Sequence, residues 1–241
     1  MFRALAKRDL GYLDGFRLRG RDVTRLEGFS DAVFGFALTL LVVSLDVPRS
    51  YHDLINTMRG FPAFATCFWL LIIIWNSHYK FSRRFGLDDL TTRTLTCILL
   101  FVVLFFVYPL KFLFTFSFSG IIPIVGPGAS PTPMTAAQAS TLLIIYGLGF
   151  AAVYFALIAL YLHAWRMREV LELNELEKLH TRHQIYRLLL LAGVGLLAAA
   201  LACNLRTLRY SGFCYLLLFP ILRLHTVVQK RSSRTLTAPA G

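Results

Sequence analysis

The sequence predicts an all-α membrane protein with six transmembrane helices, and three observations support this. Hydrophobic residues make up 56% of the 241 residues and charged residues 16%, and the mean hydropathy is +0.61. Charge in soluble domains is usually about a quarter of the residues. Six apolar stretches approach the ~20 residues that a helix needs to cross a bilayer. The stretches are continuous rather than alternating, which favours helices over the strands of a barrel.

The six predicted spans follow each other closely along the chain. They cover residues 28–47, 61–79, 94–118, 139–163, 186–204 and 209–227. The last two are the weakest, because they are short and only Asn204 to Arg209 separates them, so they form either a helical hairpin or one broken unit. The turn formers of residues 126–133 predict a plain connector. Residues 166–187 mix charges with leucines, which predicts an amphipathic extension of the fourth helix beyond the membrane.

The distribution of charge predicts the orientation of these spans. Lys and Arg number 25 against 13 Asp and Glu, a formal net charge of +12. The basic residues concentrate before the first span, after the sixth and in alternate connections, so the positive-inside rule places both termini in the cytoplasm. This topology accounts for the basic excess, and we expect no nucleic-acid partner. The predicted regions are a basic cytoplasmic arm (1–24), a transmembrane domain (25–229) and a basic cytoplasmic tail (230–241). The arm either touches anionic lipid headgroups or is a topology-setting flank with little order.

Neither a metal site nor an enzyme site is indicated. The cysteines lie within or beside apolar segments and form no CxxC pair, as expected of packing residues. His180 and His183 lie three residues apart, but no third ligand is indicated. The chain contains no nucleophile elbow and no Gly-rich phosphate loop. We therefore expect no catalytic residues, no bound metal and no cofactor.

Asp31 is a charge inside the first predicted helix, where burial in the membrane is costly. It lies about 9 Å past Arg25 at the helical rise of ~1.5 Å per residue, and about 240° around the helix, so the two cannot pair. The second predicted helix ends at the same depth with His78. We therefore predict that an Asp31–His78 contact locks these helices together, or that the cluster is a proton or ion relay. Three further polar or aromatic residues are expected nearby: Ser30, Trp75 and Asn76.

A second face of the same helix is apolar. Phe36, Leu40, Val43 and Val47 recur at spacings of four, three and four, and Thr39 borders this stripe. Asp31 points about 140° away from Phe36, so the charged cluster lies behind the stripe. Such a stripe in a membrane helix usually faces lipid or packs against protein, and pore lining is the other interpretation.

These residues resemble the signature helix of a known family. The pattern Arg25-x-x-x-Phe29-Ser30-Asp31, with Phe34, Ala37, Thr39-Leu40-Leu41 and Val47-Pro48, is similar to the first helix of the transmembrane-protein-175 family. That family comprises atypical potassium channels of lysosomes and prokaryotes. Trp75-x-x-His78 and the proline of Tyr108-Pro109 are similar too. The strong match covers about 25 residues and weakens through the third span.

The resemblance implies a homotetramer in the bilayer, with the first helices around a central pore and potassium ions as the permeant species. Selectivity would come from apolar rings at Phe36, Leu40 and Val43 and a polar layer at Thr39, because no TVGYG-type filter is present. Phe36 departs from the Ile or Leu common at the innermost ring, and Ser44 stands where an acidic residue is common. The single repeat implies a prokaryotic plasma membrane.

A small proton-coupled transporter is the alternative function. It would use Asp31 and His78, with Lys111 near the outer end of the third helix in support. Inverted repeats and broken helices at the midplane are common in transporters, and the sequence shows neither.

Overall fold

The computed structural model describes residues 12–13, 16–20, 22–43, 48–119, 135–204, 206–218 and 223. Two short strands, β1 (Tyr12–Leu13) and β2 (Phe16–Arg17), pair antiparallel ahead of the helices. The helices are α1 (Arg25–Val43), α2 (Tyr51–Arg59), α3 (Phe61–Phe85), α4 (Leu90–Ser119), α5 (Ala136–Arg166), α6 (Glu175–Ala202) and α7 (Leu208–Ser211), followed by a 3₁₀-helix (Gly212–Leu217). The described chain is therefore mostly helical, as predicted, with one small hairpin that the sequence analysis missed.

The central predicted spans are confirmed as long apolar helices. Four described helical segments are long and apolar enough to cross a membrane: Phe61–Phe85, Leu90–Val107, Ala136–Arg166 and Glu175–Ala202. They correspond to the second to fifth predicted spans. The first predicted span begins as α1, and its residues 44–47 lie outside the described part. The sixth begins as α7 and the 3₁₀-helix, and most of residues 219–227 lie outside the described residues.

The helix boundaries follow from capping residues. Thr24 precedes α1, and its Oγ1 accepts a hydrogen bond from the Glu27 amide at 3.1 Å, which satisfies one of the free N–H groups of the first turn. α3 begins with Pro62 in its first turn and stops at Gly86, whose φ of 58° is left-handed. Only glycine adopts this conformation without strain, so α3 ends here and the chain reverses into α4.

The predicted extension of the fourth helix is wrong. α5 ends at Arg166, residues 167–172 form turns, and α6 starts at Glu175. Asn174 caps α6 by accepting from the Glu177 amide at 2.8 Å, while the Glu177 carboxylate accepts from the Asn174 amide at 3.1 Å. This capping box starts α6 as a separate helix. The segment is therefore divided: residues 167–172 belong to the turns, and the residues from Glu175 onward belong to α6.

The core lies where α1, α3, α4, α5 and α6 meet. α5 and α6 pack along their length, α4 packs on α5, and α1 packs on both α3 and α4. The largest fully buried side chains belong to this core: Tyr146, Tyr161, Phe81, Phe85, Leu99 and Leu157. Among the described residues, those that pack against α1 therefore lie on one side of it.

Part of the N-terminal arm is ordered against this core. Phe16 is buried and packs edge-on against Phe85, with ring centroids 5.5 Å apart. The expectation of an arm with little order is therefore wrong for residues 16–20. Most of residues 1–15, the connector at 126–133 and the tail at 230–241 lie outside the described residues.

Candidate pore helix

The two faces of α1 have different surroundings. Ser30, Phe34, Ala37 and Leu41 recur every three or four residues and are buried against the rest of the subunit. The opposite face carries Phe29 and Phe36, whose exposed fractions are 55% and 58%. An amphipathic division of this kind usually separates core from water. In α1 both faces are apolar, so the two faces differ in solvent exposure rather than in polarity. One face packs against the rest of the chain, and the other is uncovered.

The predicted constriction residues lie on or beside the uncovered face. Phe36 and Thr39 are exposed, Leu40 is half-buried, and the side chain of Val43 lies outside the described part of the structure. The Thr39 hydroxyl donates to the Phe36 carbonyl at 2.7 Å. A hydroxyl keeps two acceptor lone pairs when its proton is used in this way. Thr39 can therefore present oxygen to a cation without leaving its proton unsatisfied.

The polar cluster behind this stripe is arranged differently from the prediction. The Trp75 indole Nε1 donates to Asp31 Oδ1 at 2.7 Å, which links α1 to α3. His78 is buried, its Nε2 lies 3.5 Å from Thr96 Oγ1, and its ring lies 6.3 Å from that of Phe34. No hydrogen bond or ion pair joins Asp31 to His78, so the predicted contact between them is wrong. Trp75 links the helices instead.

The other motif residues have distinct positions. Ser30 is buried and its Oγ donates to the Leu26 carbonyl at 2.8 Å. Arg25 and Phe29 are exposed and Asn76 is half-buried. Within the described part of the chain, the structure gives the Arg25 and Asn76 side chains no hydrogen bond or ion pair. Some residues of the motif thus form hydrogen bonds within the chain, and others lie exposed on its surface.

An open crevice separates α1 from α3 beside Asp31. Its volume is about 300 Å³. A Cβ atom placed on Gly28 or Gly35 would meet nothing within 4 Å, so the surface of α1 is open at both glycines. The lining is apolar except for one carboxylate: Asp31, Phe34, Gly35, Leu38, Leu71, Ile72 and Trp75.

Lys111 supports the far end of α1. Its Nζ lies 3.5 Å from the Leu41 carbonyl, one of the last four carbonyls of the described helix. A cation near the carbonyl end of a helix is favourable. The sequence analysis placed Lys111 near the outer end of the third predicted helix, and the structure adds that its Nζ lies beside α1.

The connection between α3 and α4 contacts α5 through Asp89 and His163. His163 Nε2 lies 3.0 Å from Asp89 Oδ2, and the Thr92 hydroxyl donates to Asp89 Oδ1 at 2.5 Å. Partial burial alone would raise the pKa of Asp89, but the hydrogen bonds from Thr92 and His163 lower it to about 2. Asp89 is therefore ionised at neutral pH. The described residues include no group of three His, Cys, Asp or Glu side chains placed to hold a metal ion.

Comparison with known proteins assigns the family. The family model described as endosomal/lysosomal potassium channel TMEM175 matches residues 25–109, which include α1 and the Trp75–His78 segment. A potassium channel of Marivirga tractuosa is 39% identical over 236 residues, which cover 94% of this chain and 96% of that protein. The chain belongs to the TMEM175 family of potassium channels. The resemblance found in the first helix is thus confirmed, and membership of an ion-channel family also confirms that the chain is not an enzyme.

Solved structures of TMEM175 proteins extend the likeness to the fold. A crystal structure of a variant of the potassium channel MtTMEM175, in complex with a nanobody–MBP fusion, superposes with a TM-score of 0.80 at 37% identity. The match covers 92% of this chain and all of that one. A homologue of the lysosomal potassium-selective channel TMEM175 from Chamaesiphon minutus superposes with a TM-score of 0.58 at 22% identity. The match covers 83% of this chain and 96% of that one, and it shows a shared fold. Together with the apolar helices, these matches describe a multi-pass membrane channel.

Proposed function

We propose that four copies of this chain form a potassium-selective channel whose pore is lined by the uncovered face of α1. Phe36, Leu40 and Val43 form its apolar constriction, and Thr39 supplies a layer of hydroxyl oxygen. Both termini face the cytoplasm of a prokaryotic cell, and the pore crosses its plasma membrane. The observation that carries this proposal is the one-sided packing of α1, which buries Phe34, Ala37 and Leu41 and leaves Phe36 and Thr39 exposed.

A pore of this kind selects ions through dehydration. A narrow apolar ring sheds water and gates by dewetting, so an ion that crosses it must lose part of its hydration shell. This loss costs less for potassium than for sodium. Hydroxyl oxygens from Thr39 of each copy would offset part of the cost, since the Thr39 proton is already held by the Phe36 carbonyl.

Phe36 gives this constriction its particular chemistry. A phenyl ring is larger than the Ile or Leu expected at this ring and turns about only two side-chain torsions. Its exposed fraction is 58%, so more than half of its surface is uncovered within the chain. Four such rings would occlude a narrow pore, so Phe36 is the gate of the proposed channel and Leu40 its second ring.

The alternative of a proton-coupled transporter has less support. A relay through Asp31 and His78 needs a path between them, but Trp75 occupies the Asp31 carboxylate and His78 lies against Thr96 and Phe34. Lys111 is engaged with the end of α1. The family relatives bear the names of channels.

Flux measurements on purified protein in liposomes test the proposal. Wild type should pass potassium in preference to sodium, Thr39→Ala and Leu40→Ala should lower that preference, and Phe36→Ala should raise the total flux. The matched control is Phe105→Ala on α4, because Phe105 is also a largely exposed phenylalanine but stands on another helix. The proposal is wrong if folded wild type and Phe36→Ala both carry no potassium, or if Phe105→Ala changes selectivity as much as Leu40→Ala does.

A further inference from the structure

Residues 16–20, here called the N-terminal strap, cross the cytoplasmic ends of α6 and α3. The Glu177 carboxylate accepts from the Arg17 amide at 2.9 Å and from two nitrogens of the Arg19 guanidinium, at 3.1 and 2.7 Å. The Arg19 Nε also donates to the Leu171 carbonyl at 3.0 Å. A planar guanidinium is suited to such forked binding, and a lysine is not. The strap is thus fastened to the start of α6.

The other edge of the strap is fastened to the end of α3. The amides of Arg19 and Gly20 both donate to the Arg83 carbonyl at 3.1 Å, and the Arg83 guanidinium donates back to the Gly20 carbonyl at 2.9 Å. The two backbones are in close contact, because a Cβ on Gly20 would lie 2.6 Å from the Ser82 carbonyl. A side chain at position 20 cannot be accommodated unless this backbone contact opens.

Burial makes the ion pair of the strap different from an exposed one. The exposed fraction of the Glu177 side chain is 0% and that of Arg19 is 12%. Removing one partner of a buried pair leaves the other charged and unsolvated, which is strongly destabilising, whereas exposed pairs contribute little. Glu175 and Lys178 form such an exposed pair in the same turn of α6, at 2.8 Å. The chain therefore contains its own matched control.

The strap leads directly into α1. Only residues 21–24 separate Gly20 from the first residue of the helix, and Thr24 is its cap. Rotation or sliding of α1 at its cytoplasmic end must therefore displace the strap or stretch this short link. Within the subunit, the rest of α1 is held on one face only.

We propose that Arg19 and Glu177 are a positioning pair for ion conduction: they tie the cytoplasmic end of α1 to α6 and α3, and so set the separation of the constriction residues between subunits. This inference rests on the proposed pore function of α1. Neither residue contacts the permeating ion, and both act through the position of the helix. Loosening the pair should widen the range of constriction geometries and lower the preference for potassium over sodium.

The test uses the full-length protein and two independent measurements. Arg19→Met should lower the potassium-to-sodium permeability ratio about fivefold, the lower end of the coupling common between linked sites. Arg19→Lys should have an intermediate effect, because it keeps the charge and loses the fork. Hydrogen exchange of the α1 amides at residues 28–31 should rise in the same order. Lys178→Met should match wild type in both measurements.

A second variant distinguishes an effect on conduction from a failure of Arg19→Met to fold. Glu177→Gln can keep the capping box with Asn174, since a glutamine carbonyl oxygen serves at this position of the box. It removes the charge, and its NH₂ group replaces the oxygen that accepts from the Arg17 amide and from one Arg19 nitrogen. It should behave like Arg19→Met. Unchanged permeability ratio in both Arg19→Lys and Glu177→Gln would overturn the inference, and so would faster exchange at unchanged selectivity, because the pair would then serve stability alone. If folded wild type and Phe36→Ala both carry no current, the pore proposal fails, and with it the conduction role of the pair. A selective wild type with unaffected variants overturns the pair alone.

Discussion

Glycines of the α5–α6 hairpin and of α1 have opposite surroundings. In the hairpin, a Cβ on Gly147 would lie 2.6 Å from the Gly195 carbonyl, and a Cβ on Gly195 would lie 2.9 Å from the Gly147 carbonyl. The two backbones are in direct contact there. On α1, a Cβ on Gly28 or Gly35 would have nothing within 4 Å. Glycine therefore allows close contact between α5 and α6, whereas on α1 it lies on an open surface.

The contrast shows where this chain packs its helices against each other and where the described residues leave a helix surface open. In a bilayer the hydrophobic effect does not drive helices together, so close packing of small residues and hydrogen bonds decide their association. The hairpin has both, since Ser140 on α5 donates to the Ala202 carbonyl at 2.6 Å. The glycines of α1 have no such close packing in the described chain, because a Cβ on either would meet nothing within 4 Å. This difference supports the proposal that other copies of the chain cover α1.

The largest effect is expected from filling the closed interface. Gly147→Ala places a methyl group 2.6 Å from the Gly195 carbonyl and 2.8 Å from the Ala199 Cβ. The helices must separate, and we expect a loss of ~1–3 kcal/mol in the free energy of unfolding, as for overpacked cores. Thermal unfolding in detergent measures this. Gly193→Ala is the control on α6, because its Cβ would meet nothing within 4 Å; equal losses in the two variants would remove the contrast.

A smaller effect of a different kind is expected on α1. Gly35→Ala should leave the subunit as stable as wild type or stabilise it by up to ~1 kcal/mol, because alanine favours the helix. If copies of α1 approach each other at this face, the added methyl group should reduce the tetramer fraction. Native mass spectrometry measures that fraction. A tetramer fraction equal to that of wild type would show that the open face of α1 is not an assembly surface.

The smallest expected effect is on the pH dependence of stability, through Asp89. Its pKa is lowered from 3.8 to about 2, so its contribution to stability is present in full above about pH 4 and is lost as the pH falls through about 2. Stability should therefore be independent of this group between pH 5 and 8. Asp89→Asn should remove the loss at low pH that wild type shows. Asp88→Asn is the control, because it removes the neighbouring carboxylate that pairs with Arg93 on the surface, and it should keep that loss.

The sequence predicted position along a helix axis better than rotation about that axis. It placed Asp31, Trp75 and His78 at one level, because counting residues along an apolar helix measures distance along its axis. It chose His78 as the partner of Asp31, whereas the structure pairs Asp31 with Trp75. Successive residues differ by about 100° around the helix, so a few residues of uncertainty in register alter which side chain faces a neighbour.

Local polar contacts explain the other corrections. The fourth predicted helix was extended through residues 166–187, because its leucines continue a helical pattern, but the Asn174 capping box divides the segment. The arm was described by its positive charge alone. Arg19 is in fact a specific partner of Glu177, 158 positions away along the chain. Contacts between residues so distant in sequence leave no periodic signal.

By itself, the sequence determined that this protein is a multi-pass helical membrane protein, where four of its long helices lie, and which motif marks its family. These properties follow from composition, run length and residue order, which act locally. Only the tertiary structure decided that Trp75 holds Asp31, that Arg19 and Glu177 fasten the strap, and that α1 keeps one uncovered face. Each of these depends on the rotation and approach of helices, which packing across the whole subunit sets.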